Sequence, residues 1–212
     1  MGRFTSIAVK IRSQASSRIR SSGMSTAAPE GGSAVATHSQ KPYATSVQLM
    51  HWAMGGSVLA CVAFVQLAQR SKGKAKGEYM FYHKSFGTLA AGMLMPRLGL
   101  RMLTRAPPSF STNTAQRLLA QASHGAMYGF LCLMPITGVT MGYYGGKGLP
   151  FFYTTLPGAE EKNGKLAGQA FKLHKQAGWY MEMLLLGHIG AAGFHTMAGH
   201  KILGRIVPGL AK

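Results

Sequence analysis

Acid is what this sequence is short of. Its 212 residues hold five Glu, no Asp, and 23 Lys and Arg together. Charged residues of both signs amount to only 13%, too few for the solvated surface that one or two soluble domains of this length would need. Cysteine is nearly absent as well: Cys61 and Cys132 both fall inside apolar runs, so no disulfide framework is implied. Neither belongs to a C-x-x-C-H motif, so any haem would be held by coordination and packing alone. A full set of four closely spaced Cys and His ligands, which a structural zinc site wants, is missing too.

What is present fits a helical membrane protein. Hydrophobic residues make up 47% of the chain, with 28 Gly and 14 Met, and Gly lets spanning helices approach closely. The formal charge of +18 does not point to nucleic acid, because the basic residues lie in a leader and in short loops between apolar runs. Placed there, they suit anionic lipid headgroups. Residues 1–40 carry Arg3, Lys10, Arg12, Arg18 and Arg20, many Ser and Ala, and no acid before Glu30. That pattern reads as an organelle transit peptide followed by a Ser/Gly/Ala-rich linker, with the mitochondrial inner membrane as destination and a plastid thylakoid membrane as the alternative.

The remainder, residues 41–212, reads as an all-α integral membrane four-helix bundle. The expected spans run from about Val47 to Gln69, Tyr82 to Leu103, Ala122 to Tyr144 and Leu173 to His200, each near the ~20 residues needed to cross a bilayer. Arg97 and Arg101, late in the second span, are expected to snorkel to the headgroups. Pro96 and Pro135 bend helices without breaking them. The third connection, from Gly145 to about Lys172, is Gly/Pro-rich, with aromatics enough to fold over one end of the bundle.

Histidine carries the functional signal. His174 and His188 lie fourteen residues apart on the fourth span, within about 40° of one helix face and roughly 21 Å apart along the axis. One ring per leaflet points to two stacked cofactors and not to a single metal. If side A is the side on which the first span begins, alternation of direction puts His51 and His124 near A, and His83 and His174 near B. His188 is then back towards A, with His195 at the A boundary. The expected pairs are His83 with His174 and His51 with His188, two bis-His sites forming a wire across the membrane. His38, in the linker, and His200 have no such complement; Trp52 and Trp179 read as interfacial or packing aromatics and the Met as core. Glu182 falls near mid-bilayer, where it is expected to be neutral and hydrogen-bonded to a neighbouring Ser, Thr or carbonyl.

The pieces MHW (50–52), YHKSFG (82–87), RLGLRMLTRAPP (97–108), SHGAMY with LMPITGVTMGYY in the third span, and LHKQAGWYMEMLLLGHIGAAGFH (173–195) resemble the cytochrome b561 family of the bacterial and Ni-hydrogenase type, which includes superoxide oxidase. The resemblance covers roughly residues 46–208. It implies two haem b groups ligated by His51, His83, His174 and His188, and a quinone site, with ubiquinone as acceptor, at His195 with His124 nearby. Glu182 departs from the family pattern. The expected activity is electron transfer between a soluble or membrane donor, superoxide among the candidates, and a quinone, which would make the chain an oxidoreductase. The alternative is a haem-bearing membrane anchor within a larger respiratory complex. A His-lined ion transporter is disfavoured by the single intramembrane acid. Lys84, Lys172 and Lys175 near the B-side pair would draw an anion, or serve as ordinary interfacial lysines. Basic residues divide almost evenly between the two sides, so the positive-inside rule sets no orientation.

Overall fold

The computed structural model describes residues 41–105, 107–108, 111 and 113–210; the expected leader and linker, residues 1–40, lie outside the described residues. Four long helices dominate: α1 (Thr45–Arg70), α2 (Gly73–Leu103), α3 (Thr114–Tyr144) and α4 (Gly164–Met197). A two-stranded hairpin, β1 (Leu149–Phe151) and β2 (Thr154–Leu156), separates α3 from α4, and a short α5 (Leu203–Ile206) follows α4.

Three of these helices begin earlier than apolarity alone predicts. The basic stretch before Tyr82, expected as a loop, forms the opening turns of α2, because Lys, Ala and Glu are good helix formers. Gly73, at φ +59°, makes the reversal out of α1 in a conformation that other residues rarely adopt. Asn113 caps α3 by accepting from the backbone N–H groups of Ala115 and Gln116, so that helix starts eight residues before Ala122. Asn163 does the same for α4 through the Leu166 N–H at 3.0 Å, moving its start from Leu173 to Gly164. Both internal prolines, Pro96 in α2 and Pro135 in α3, are carried within continuous helix.

The most extensive packing joins α1 to α2 and α3 to α4, with α2 also against α3 and β1. All four helices share one apolar cluster built on Met54, Val58, Ala90 and Met181, against which Met93, Leu94, Phe130, Leu131, Met134 and Leu185 pack. Four of these ten are Met, whose flexible thioethers fill an irregular interior. Among the described residues, α1 and α3 are long and apolar enough to cross a membrane. Their apolar surface is largely turned outward: Leu59, Ile136 and Val139 are 46%, 62% and 41% exposed, as expected where lipid, not water, is the solvent.

The hairpin docks onto α2. Phe152, one of its two turn residues, donates its backbone N–H to the fully buried Ser85 Oγ at 3.1 Å and sets its ring edge-on to Phe86 at 5.2 Å. Gly148 makes the approach feasible: at φ +67°, a Cβ there would lie 2.3 Å from the Leu156 carbonyl oxygen. At the opposite end, the segment around α5 is bonded to the start of α1. The Arg205 carbonyl accepts from Tyr43 N–H and Gln48 Nε2, both at 3.0 Å, and Trp52 Nε1 donates to the Ile206 carbonyl at 3.0 Å. Trp52 is therefore a structural donor as well as a boundary aromatic.

Candidate cofactor sites

The Met-rich cluster lies between two pairs of imidazoles. At the B end, His83 on α2 and His174 on α4 face each other with ring centroids 6.2 Å apart. At the A end, His51 on α1 and His188 on α4 stand 6.3 Å apart, and His124 on α3 lies 5.6 Å from His188 on its other side. The structure thus brings together the two pairs expected from helix direction, and adds His124 to the second of them.

The B-end rings have a defined protonation. His83 Nδ1 lies 2.9 Å from the Cys61 carbonyl oxygen, which only accepts, so the proton sits on Nδ1. Cys61 Sγ in turn donates to the His83 carbonyl at 3.1 Å, locking α1 and α2 together at this level. His174 Nδ1 lies 2.9 Å from Thr137 Oγ1. The Thr137 hydroxyl spends its hydrogen on the helix carbonyls of Leu133 and Met134, at 2.8 and 3.1 Å, so towards His174 it accepts. Both B-end rings therefore keep an unprotonated Nε2. Gly138 leaves room beside the His174 ring, whose Cε1 a Cβ would approach to 3.4 Å.

The A end differs. Arg97 does not snorkel outward; its Nη2 lies 3.3 Å from His51 Nδ1 and its guanidinium is 5.9 Å from the centre of the Tyr128 ring. The half-buried start of α1 and the face of Tyr128 offer it a berth inside the helices, whereas Arg101, one turn on, is exposed. His195 lies beyond this pair, its Nδ1 3.4 Å from His200 Nδ1 and its ring centroid 5.3 Å from that of His200. Glu182 accepts from the Gln66 side-chain amide at 2.8 Å, a partner on α1 and not the Ser, Thr or carbonyl expected. Sequence reasoning passed over Cys61, Thr137 and Gln66, since their roles depend on how α1 and α3 are rotated about their own axes.

Among the described residues no group of three or more His, Cys, Asp or Glu could hold a metal ion, so each pair would need a cofactor that supplies the remaining ligands. Two imidazole nitrogens bound to one metal at about 2.0 Å put their ring centroids at most about 6.2 Å apart once roughly 1.1 Å from nitrogen to ring centre is added at each end. The observed 6.2 and 6.3 Å match that span. Haem iron, when bound, would take such a pair of imidazoles as its protein ligands. The residues present therefore fit a haem at each pair, with the His83 and His174 tautomers already those that an Nε2 ligand requires, and with His51 free to adopt the same one once Arg97 withdraws from its Nδ1.

No curated protein matches the chain. The model of the prokaryotic cytochrome b561 family, by contrast, matches residues 42–209, which takes in all four long helices and every paired histidine. With that match added to the paired imidazoles and the outward-facing apolar helices, the chain belongs to the prokaryotic cytochrome b561 family, membrane proteins that bind haem b and carry electrons across the bilayer.

Proposed function

We propose that the protein is a four-span, dihaem electron carrier in which His83 and His174 hold one haem b, His51 and His188 hold the second, and a quinone is reduced at the A end. The single observation that carries this reading is the pair of ring separations, 6.2 and 6.3 Å, at opposite ends of the same four helices. Haem, when bound, supplies the one-electron couple, with axial ligands and their hydrogen bonds tuning its potential. The protein's own part is specific. The Cys61 carbonyl and the Thr137 hydroxyl fix two of the rings and raise their basicity as ligands. The Met-rich cluster keeps water from the space between the pairs.

For the quinone, His195 is the residue that brings a proton. Its Nδ1 faces that of His200 at 3.4 Å, a geometry in which one nitrogen carries the hydrogen and the other accepts it. A proton passed between them leaves His195 able to donate to a quinone oxygen, with His124 as the neighbouring candidate. The donor is a soluble or membrane reductant, superoxide included, drawn to the B end by Lys84, Lys172 and Lys175. The Arg- and Ser-rich leader supports import to the mitochondrial inner membrane.

The test is haem counting by reduced-minus-oxidised spectra. His83→Ala or His174→Ala should remove one haem and spare the other, and His51→Ala or His188→Ala should do the reverse. A ratio of two haems per protein in all four variants would refute the ligand assignment.

A further inference from the structure

Among the described residues, Arg97 is a cation without a counter-charge. Its Nε is buried with no hydrogen-bond partner, and among the described residues no oxygen accepts from the rest of its guanidinium. Arg205 also has an orphaned Nε, yet its Nη2 donates to the Pro108 carbonyl at 2.7 Å. Among the described residues no acid is placed to help. The ion pair found among the described residues is Lys74 with Glu78 on the surface, and Glu182 is bonded to Gln66. A guanidinium taken out of water is stable only with an anion or with acceptors to satisfy it.

The partner that Arg97 does have is the wrong one for a ligand histidine. Arginine only donates, so the contact at 3.3 Å makes His51 Nδ1 the acceptor and puts the ring proton on Nε2. A metal-bound imidazole nitrogen carries no proton. Ligation through His51 Nε2 and the Arg97 contact therefore exclude each other, whereas His83 and His174 show the opposite tautomer. Beside Arg97 is a cleft between α1, α2 and α3 lined by Val47, Met50, Leu100, Arg101 and Tyr128. Two guanidiniums on apolar walls suit a carboxylate attached to an apolar body.

We propose that Arg97, seconded by Arg101, binds the propionate carboxylates of the haem at the His51–His188 pair, and that it leaves His51 to do so. This rests on the haem assignment made above. The contact with His51 parks the guanidinium until the carboxylate takes its place, and the same movement frees His51 to carry its proton on Nδ1. Arg97 is accordingly a positioning residue for the ligand and an anchor for the cofactor.

The experiment is a cycle on the loaded protein, reading the rate at which each haem passes to apomyoglobin. Wild type, Arg97→Leu and Arg97→Lys are each loaded with haem or with haem dimethyl ester, whose carboxylates are blocked. With haem, Arg97→Leu should speed the loss of one of the two haems at least tenfold, with Arg97→Lys in between. With the ester, the loss should already be fast in wild type and no faster in either variant. An equal acceleration for haem and ester would overturn the proposal, and its dependence on headgroup would assign the cleft to a lipid phosphate; unchanged rates with haem would overturn it too. If Arg97→Leu loads only one haem, the Arg97→Lys arm decides by the same criteria. His51→Ala is measured alongside: retention of both haems there refutes the ligand assignment, while loss of one haem with no Arg97 coupling refutes only the anchor.

Discussion

Thr137 offers the sharpest test of how the B-end site is tuned. It is 4% exposed, and its hydroxyl oxygen is the acceptor for His174 Nδ1 at 2.9 Å. Thr137→Val keeps the branched shape and removes that acceptor, leaving the Met134 backbone as the ring's remaining partner, so the cost is that of one hydrogen bond, about 0.5–1.5 kcal/mol. Spread over the binding equilibrium, this is roughly a 2- to 13-fold loss of affinity at the B end, reaching the lower part of the ~10–100-fold cost of deleting a hydrogen bond to a metal-binding histidine. A less basic imidazole also stabilises the ferric state less, so the midpoint potential of that haem should rise. The assay is haem transfer to apomyoglobin combined with spectroelectrochemical titration, with Thr137→Ser expected to restore both values. The reasoning fails if Thr137→Val leaves the rate and the potential of both haems unchanged, or alters the A-end haem in place of the B-end one.

Three further outcomes are expected. His195→Ala should keep both haems yet slow reoxidation by a soluble quinone at least tenfold, a barrier increase of ~1.4 kcal/mol; unchanged stopped-flow rates would pass the role to His124. Ser85→Ala should release the hairpin from α2 at a cost of about 0.5–1.5 kcal/mol, seen as faster limited proteolysis between residues 145 and 163, and an unchanged cleavage rate would show that the Phe152–Phe86 contact suffices. A fusion of residues 1–45 to a reporter should enter mitochondria and lose that ability when Arg12, Arg18 and Arg20 become Gln; exclusive entry into plastids would move the assignment.

The histidine pairs were legible because they depend on two quantities that sequence carries well, the rise per residue and the alternation of helix direction. His174 and His188 sit the length of a span apart, and any antiparallel arrangement brings His83 to one and His51 to the other. Helix starts were less legible, since apolarity marks where lipid begins and not where the helix does: Asn113 and Asn163 cap α3 and α4 well before their apolar stretches. Rotation about each helix axis was not legible at all. It turns Arg97 inward onto His51 and Tyr128 and gives His83 and His174 their partners in Cys61 and Thr137. The hairpin register depends on Gly148 and on a contact with Ser85, 67 positions before Phe152, which no local pattern in residues 145–163 announces.

The clasp between Arg205 and the start of α1 sets a timetable for assembly. Gln48 and Arg205 are separated by 157 positions, so the bond between them closes only after every long helix has been made and inserted. Pairings this distant in sequence carry the loop-closure cost of the whole intervening chain, which makes them slow to form. His51 is three residues from Gln48 and next to Trp52, which the same clasp holds through Ile206. His83 and His174 need nothing beyond α4. On the proposed ligand assignment, a chain halted before α5 is expected to have the His83–His174 pair in place while the helix that carries His51 still lacks its clasp.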